Sequence, residues 1–221
     1  MQKWIFDIRS RPFFVLSMSF LLVTLLVYSK TTQQFDESTA LFFQSIAGNS
    51  ALDLFMQSVT EAGDVFYMLA FAGVLTIIKK TRKAGVVLMI LLVLTTLLTG
   101  YIKCGVDRDK PNLPFLGNPF LIEATQDTFA LFCEGGANAS FPSGHASRAT
   151  VFGMVLGFVL SQKFPRGCYL LLLYPILMSI SRIYVLQHFP MDVIGGAILG
   201  ILLTGVVTKK AKLGKIFESK T

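Results

Sequence analysis

The stretch from Ala84 to Ile102, AGVVLMILLVLTTLLTGYI, is 19 residues long and carries no charged side chain. A helix needs about 20 consecutive apolar residues to cross the hydrocarbon core of a bilayer. A second uncharged stretch, PFFVLSMSFLLVTLLVYS, covers 18 residues from Pro12 to Ser29. Only 15% of the 221 residues are charged, whereas soluble domains average about 25%. These observations predict an integral membrane protein.

Outward from these two stretches, the apolar pattern predicts an all-α fold, a bundle of six transmembrane helices. No small-residue cleavage site follows the first stretch and more apolar stretches come after it, so a span is favoured there over a signal peptide. Residues 30–55 have the mixed pattern of an amphipathic helix at the outer interface, and residues 103–141 form a long outer loop. The predicted spans are 13–29, 56–78, 84–102, 146–162, 168–186 and 190–207.

The charges orient this bundle. With six spans, both chain ends share a side that carries 14 basic and 2 acidic residues, and the other side carries 6 basic and 11 acidic residues. Lys and Arg favour the cytoplasmic side. We therefore expect a cytoplasmic basic lead (1–12), a six-span domain (13–208) in the plasma or inner membrane, and a basic cytoplasmic tail (209–221). The tail is expected to lie beside anionic lipid. Nucleic acid is not an expected partner, because no base-stacking aromatics accompany these charges.

The cysteines and histidines are too few and too scattered to predict a metal site. The chain has 3 cysteines and 2 histidines without zinc-ligand spacing. We expect neither a metal nor another cofactor. Cys104 and Cys133 fall in the outer loop, where an oxidising compartment would allow a disulfide; two unpaired thiols are the alternative.

The first polar cluster is Ser181-Arg182-x5-His188-x3-Asp192. His188 and Asp192 are four residues apart, which places them one turn apart on one helical face. A carboxylate there fixes the imidazole tautomer and leaves the second ring nitrogen as an acceptor or nucleophile. Arg182 can bind a phosphate through its planar fork. Taken alone, His188 and Asp192 are explained equally well as a structural polar pair.

The second cluster, Phe141-Pro142-Ser143-Gly144-His145-Ala146-Ser147, opens the predicted fourth span. Gly144 lets the backbone approach a ligand closely, and the N–H groups of a helix start favour an anion. Ser143 adds a hydroxyl, and His145 is placed to protonate a leaving oxygen. A helix cap is the alternative. Arg148, one turn further on, is either another ligand or the partner of a loop acid.

Lys103, Arg108 and Lys110 form the third cluster, next to the third span. Three basic groups just outside an apolar helix suit a phosphate clamp. The alternative is an interfacial anchor whose side chains extend to the headgroups. Asp107 and Asp109 partly neutralise the cluster, which disfavours simple attraction to anionic lipid.

Together the three clusters resemble the motifs of the type 2 phosphatidic acid phosphatase family, which shares its active site with vanadium haloperoxidases. That family is marked by Lys-x6-Arg-Pro, Pro-Ser-Gly-His and Ser-Arg-x5-His-x3-Asp. The second and third motifs match fully, and the first has Lys in place of Arg. The matching segments are Lys103-x6-Lys110-Pro111, Pro142-Ser143-Gly144-His145 and Ser181-Arg182-x5-His188-x3-Asp192.

The resemblance implies a metal-independent phosphatase that works through a phosphohistidine. His188 would attack phosphorus, Asp192 would orient it, and His145 would protonate the leaving group. Lys keeps the charge of Arg but lacks its bidentate fork, so either Lys110 acts as a point charge or Arg108 reaches the site instead; we expect Lys110. The implied phosphate-binding residues are Lys103, Lys110, Ser143, Gly144 and Arg182.

The expected substrate is a lipid phosphomonoester or an isoprenyl diphosphate, and phosphatidic acid, phosphatidylglycerol phosphate, undecaprenyl diphosphate and lipid A phosphates all stay open. A site at the outer membrane edge would let the lipid keep its tail in the bilayer while its headgroup reaches the clamp. Two alternatives stay open: a lipid phosphotransferase that uses the same histidine, and a catalytically inactive membrane scaffold or transporter subunit. The expected partners are the lipid phosphate and the bilayer, and the sequence leaves the oligomeric state open.

Overall fold

The computed structural model describes residues 7–117, 138–161 and 163–210. Within these residues the fold has eight α-helices and no β-strand, only an isolated bridge between Asp109 and Ala139. A 3₁₀ segment, Gly167–Leu172, leads directly into the seventh helix. The helices are α1 (Arg11–Tyr28), α2 (Gln33–Ile46), α3 (Ser50–Glu61), α4 (Val65–Ile77), α5 (Arg82–Val106), α6 (Gly144–Ser161), α7 (Leu173–Tyr184) and α8 (Pro190–Lys210).

The prediction of six spans is confirmed in part. In the described chain, α1, α5, the 3₁₀ segment with α7, and α8 are four segments long and apolar enough to cross a membrane. The α3–α4 pair is a fifth candidate, bent by 56°. The predicted fourth span is helical as α6, but His145, Ser147 and Arg148 occupy its first turns and lower its mean hydropathy.

Helix α2 is the predicted amphipathic segment, and its buried face includes a carboxylate. Asp36 and Ala40 are its buried residues, whereas Phe35, Leu41 and Phe42 are more than half exposed. Burying a carboxylate while exposing aromatic side chains is costly in water but suits a helix whose outer face meets lipid.

Several predicted boundaries move. The second span begins earlier than residue 56, because α3 starts at Ser50. The outer loop begins later than residue 103, because α5 continues to Val106 and holds Lys103 in its last turn. At the other end, α8 continues to Lys210, so the predicted tail begins within a helix. The tail residues 211–221, the lead residues 1–6 and loop residues 118–137 lie outside the described residues.

The predicted disulfide is described at one end only. Cys104 is disulfide-bonded, but its predicted partner Cys133 lies outside the described residues, so the pairing stays a prediction. Cys168, which begins the predicted fifth span, is buried in the 3₁₀ segment, where its Sγ donates to the carbonyl oxygen of Pro165 at 3.3 Å.

Helix α6 is the centre of the bundle. It packs against α5, α7 and α8 and buries 13 of its 18 residues. Its close approach to α8 depends on glycine: a Cβ on Gly200 would lie 2.6 Å from the carbonyl oxygen of Ser147, and a Cβ on Gly196 would overlap the carbonyl of Ser143. This approach brings the start of α6 beside the start of α8.

Candidate active site

The three polar clusters meet where these helix ends come together. The backbone N–H of Ser143 donates to the carbonyl oxygen of Asp192 at 2.9 Å, which joins the second cluster to the first. The backbone N–H of Ser140 donates to the carbonyl oxygen of Arg108 at 2.6 Å, which joins the third cluster to the segment before the second. Residues far apart in sequence therefore line one site.

His188 and Asp192 form the centre of this site, and both are fully buried. The imidazole Nδ1 of His188 lies 3.7 Å from Oδ2 of Asp192. The same Oδ2 accepts a hydrogen bond of 2.7 Å from the backbone N–H of Phe189. Because α8 begins at Pro190, the carboxylate sits in its first turn, where the helix dipole favours a negative charge. Asp192 is thus held against the Nδ1 side of the ring.

The surroundings keep His188 neutral. Burial is the main cause that lowers the pKa of His188 to about 3. The carboxylate of Asp192 acts in the opposite direction, while the positive charges of Arg182 and Lys103 lower the pKa further. At physiological pH the imidazole therefore keeps a lone pair on one of its nitrogens.

Arg182 and Lys103 reach the site from different helices. Arg182 lies in the last turn of α7 and Lys103 in the last turn of α5, and both side chains are buried. Two buried cations whose charges act on His188 make the site suited to an anion. The described residues contain no group of three or more His, Cys, Asp or Glu side chains that could hold a metal ion.

His145 is buried in the first turn of α6, beside Arg148. Nη2 of Arg148 lies 3.3 Å from Nδ1 of His145 and donates to the carbonyl oxygen of Gly63 at 3.4 Å. A guanidinium has donors only, so Nδ1 is the acceptor and Nε2 carries the proton of the neutral ring. A Cβ on Gly63 would lie 3.0 Å from Cδ2 of His145, so the α3–α4 connection lies directly against the ring.

Arg108 joins two buried carboxylates. Its Nη1 donates to Oδ1 of Asp192 and its Nη2 donates to Oδ2 of Asp36, each at 2.7 Å. Its Cζ atom lies 4.3 Å from the centroid of the Phe189 ring, a cation–π distance. The guanidinium fork is therefore engaged at both ends by acids.

Asp36 is the site residue that the sequence did not indicate. It is fully buried, with Oδ2 accepting from the hydroxyl of Thr32 at 2.9 Å and Oδ1 accepting from the backbone N–H of Met191 at 3.1 Å. The available signal was its spacing, since Asp36 and Ala40 are four apart on one face of α2. The burial of Asp36 was hard to predict, because the aromatic residues of that helix suggested that its contact face is apolar.

Lys110 lies on the wall of a cavity of about 440 Å³ at the end of α5. Arg108 lines the same cavity, as do Gln33, the first residue of α2, and Lys30, which precedes that helix. The cavity adjoins the carboxylate side of the site through Phe189, which is also part of its wall.

An apolar groove of about 570 Å³ lies between α6, α7 and α8. Thr150 and Ser179 line it, but their hydroxyls donate to carbonyl oxygens of their own helices. Val193 and Ala197 line it from α8. Val193 directly follows Asp192 in the first turn of α8.

Comparison with known sequences agrees with this arrangement. A family model described as the PAP2 superfamily matches residues 83–213, which contain all three clusters. A protein of Sulfolobus acidocaldarius named undecaprenyl-diphosphatase is 28% identical over 152 residues. The match covers 68% of this chain and 66% of that relative, just under two thirds of its length.

Two solved structures share the fold. A transmembrane PAP2-type phosphatidylglycerolphosphate phosphatase from Bacillus subtilis has a TM-score of 0.72 and 24% identity, covering 91% of this chain and 96% of that one. LpxE from Aquifex aeolicus has a TM-score of 0.59 and 24% identity, covering 79% of this chain and 95% of that one. At these identities the likeness concerns the helical fold.

Proposed function

The chain belongs to the PAP2 superfamily, and from this membership we propose that it is an integral-membrane lipid phosphatase that forms a phosphohistidine at His188. The observation that carries the proposal is the environment of His188. The ring is buried and neutral, Asp192 faces its Nδ1, and two cations act on it from α5 and α7. This leaves Nε2 as a nucleophile at an anion-binding site.

In the first step, Nε2 of His188 attacks phosphorus and a P–N bond forms. The bond between phosphorus and the leaving oxygen breaks, and that oxygen takes a proton from Nε2 of His145, whose ring is left as an imidazolate against the guanidinium of Arg148. In the second step, water attacks phosphorus, the P–N bond breaks, and His145 takes up the proton that water loses. The products are inorganic phosphate and a dephosphorylated lipid, or a lipid monophosphate where the substrate is a diphosphate. The proposed steps use no metal ion.

The phosphoryl oxygens are held by cations and by the start of α6 in this proposal. Preorganised positive charge stabilises the charge that develops during phosphoryl transfer. The contacts of Arg108 with two carboxylates favour Lys110 over Arg108 as the ligand at the position where the family has Arg. The proposed phosphate-binding residues are Lys103, Lys110, Ser143, Gly144 and Arg182, with Arg148 beside the leaving-group side.

The apolar surroundings of the site support a lipid substrate. The groove between α6, α7 and α8 is lined by Val193, which follows Asp192 in α8, and its hydroxyls at Thr150 and Ser179 are engaged within their own helices. A hydrocarbon tail fits such a lining because the lining requires no polar partner. The names of the relatives support both an isoprenyl diphosphate and a lipid phosphomonoester as substrate classes.

The charge pattern supports a placement of the site on the outer face. We propose that the six-span phosphatase domain (13–208) lies between a cytoplasmic lead (1–12) and a cytoplasmic tail (209–221). The tail of the lipid would then stay in the outer leaflet while its phosphate reaches His188.

Phosphate release from a lipid phosphate by the purified protein in detergent tests the proposal. We expect His188→Ala to lose at least about a thousandfold in kcat, as removal of a nucleophile does. The wild-type protein should keep its activity in excess chelator, and vanadate should inhibit it as a mimic of the attacked phosphorus. Lys209→Ala is the matched control, since Lys209 pairs with Asp7 outside the site. Equal release by the wild type and His188→Ala would refute the assignment.

A further inference from the structure

We propose that Asp36 and Arg108 are positioning residues that orient Asp192 and, through it, His188. The inference rests on the proposed function, because it assigns these residues to the orientation of the proposed nucleophile. Neither residue needs to touch the substrate. Asp36 lies on α2, outside all three motifs, so the pair adds a fourth segment of the chain to the site.

Every acceptor oxygen of Asp192 is engaged in a hydrogen bond. Oδ1 accepts from Arg108 at 2.7 Å, and Oδ2 accepts from the N–H of Phe189 at 2.7 Å. Its backbone carbonyl accepts from the N–H of Ser143 at 2.9 Å. With one oxygen held by Arg108, the carboxylate cannot rotate without breaking a short charge-assisted bond. Oδ2 therefore stays on the Nδ1 side of His188.

Arg108 is itself held in place by further contacts. An arginine tied at one end only could swing about its long side chain. Here the other end of the fork donates to Asp36, and the guanidinium face lies on the Phe189 ring. Asp36 is itself fixed by Thr32 and by the backbone N–H of Met191 in the first turn of α8. The pair thus ties α2 to the same helix turn that carries Asp192.

The charges of Asp36, Arg108 and Asp192 together also affect His188. Asp192 alone with Arg108 would be a neutral pair, and a neutralised carboxylate would stabilise a proton on Nδ1 of His188 less well. Asp36 supplies a second negative charge, so the three side chains sum to one negative charge beside the ring. In a buried site such charges are weakly screened. We infer that Asp36 lets Arg108 hold Asp192 without cancelling its effect on His188.

Steady-state kinetics on a lipid phosphate provide the first test. For a positioning pair, Arg108→Ala and Asp36→Asn should each lower kcat by about 10- to 100-fold and change KM by less than about threefold, because orientation acts on the reacting state. The double variant should lose no more than Arg108→Ala alone, since both residues act as one unit. Asp36→Glu and Arg108→Lys should restore part of kcat. Lys209→Ala, which breaks the equally short but exposed pair with Asp7, should leave kcat unchanged.

Imidazole NMR provides a test that does not depend on turnover. The chain has only 2 histidines, so a protein labelled with ¹⁵N-histidine gives two sets of ring signals, which His145→Gln assigns. We expect Asp36→Asn and Arg108→Ala to shift the Nδ1 and Nε2 signals of His188 toward a mixture of tautomers, and Lys209→Ala to leave them unchanged. A purely structural role would alter thermal stability without moving these signals. If Asp36→Asn does not fold, Thr32→Ala removes only the hydroxyl bond to Asp36 and carries the same prediction with a smaller shift.

The outcomes separate the two proposals. Unchanged His188 signals in folded Asp36→Asn and Arg108→Ala would overturn the positioning role. A raised KM with unchanged kcat in Arg108→Ala would make Arg108 a phosphate ligand and would also overturn it. If the signals move as expected but His188→Ala keeps its activity, the positioning of the ring stands and the proposed phosphatase mechanism fails.

Discussion

The two histidines of this chain lie in opposite environments. At His188 the neighbour of Nδ1 is a carboxylate, 3.7 Å away on Asp192. At His145 the neighbour of Nδ1 is a guanidinium, 3.3 Å away on Arg148. A carboxylate only accepts hydrogen bonds and a guanidinium only donates them. A neutral His188 is therefore set to present a lone pair at Nε2, whereas a neutral His145 presents an N–H there.

In the proposed reaction, this difference suits the two rings to different steps. The neighbour at Nδ1 decides which form Nε2 takes, and Nε2 is the nitrogen that would face a substrate. If His145 were doubly protonated, its Nδ1–H would point at a donor of Arg148, so this contact favours the neutral ring with its proton on Nε2. The two neighbours therefore support the proposed roles of His188 as nucleophile and His145 as proton donor.

Substitution of the two histidines should cause the greatest losses of activity, and the two losses should depend differently on the leaving group of the substrate. His188→Ala should abolish turnover of every substrate, because no P–N bond can form. His145→Ala should lose about 10²- to 10⁴-fold on a lipid phosphate, the usual contribution of a general acid. It should recover most of that loss on p-nitrophenyl phosphate, whose leaving group departs without a proton. Phosphate release from both substrates gives the measurement.

The control for this prediction is Lys209→Ala, which changes an exposed pair far in sequence from both rings. If His145→Ala is equally impaired on both substrates, His145 does not act on the leaving group and the contrast between the rings breaks down. If p-nitrophenyl phosphate also restores His188→Ala, the nucleophile lies elsewhere.

The sequence could predict those features of the site that depend on residues close together in the chain. The pair His188–Asp192 is four residues apart, so a helix start brings the two side chains together without any other part of the fold. The local sequence likewise predicts a helix start at this cluster, with the span from residue 146, and in the structure α6 begins two residues earlier, at Gly144. Such features need only local rules.

The contact between Asp36 and Arg108 could not be predicted in this way. It joins residues 72 positions apart and depends on how α2 crosses the start of α8. Likewise, the bend between α3 and α4 and the contact of Gly63 with His145 arise from packing on α6 and α7. The apolar pattern predicted the presence of these helices, but no local signal predicts which of their polar residues turn inward.

A smaller effect is expected when both rings stay intact and the lipid between them is displaced. Ala197→Trp would fill part of the groove between α6, α7 and α8. We expect kcat/KM on a long-chain lipid phosphate to fall about tenfold, equivalent to roughly two buried CH₂ groups, with little change on a short-chain analogue. The ratio of the two substrates gives the measurement.

Val93→Trp is the matched control for the groove, because Val93 is exposed on α5 and does not line it. An Ala197→Trp protein that loses activity equally on long-chain and short-chain substrates would show that the groove does not hold the tail. The contrast between His188 and His145 would then stand, but the path of the lipid toward them would have to lie elsewhere.

The smallest effect concerns the pH dependence of stability. Burial lowers the pKa of His188 to about 3, well below the unfolded value of about 6.5. As the pH falls, His188 takes up a proton in the unfolded chain before it does so in the folded chain. The free energy of unfolding is therefore unaffected by this group above about pH 6.5 and decreases progressively as the pH falls toward 3. Between pH 7.5 and 5.5 the loss is about 1.4 kcal/mol, or roughly 3 °C in Tm for a chain of this size.

His188→Gln lacks this titration, so thermal unfolding in detergent should show its Tm falling by about 3 °C less than that of the wild type between pH 7.5 and 5.5. Lys209→Ala should follow the wild type over this range. Its partner Asp7 has a pKa lowered mainly by the hydrogen bond with Lys209, so the stability from that pair is lost only at a more acidic pH, below the ordinary value of an Asp carboxyl. Parallel curves for the wild type and His188→Gln would mean that His188 is not buried in its neutral form. The opposition between the two rings would then lose its electrostatic basis, because a charged His188 would present an N–H at Nε2, as His145 does.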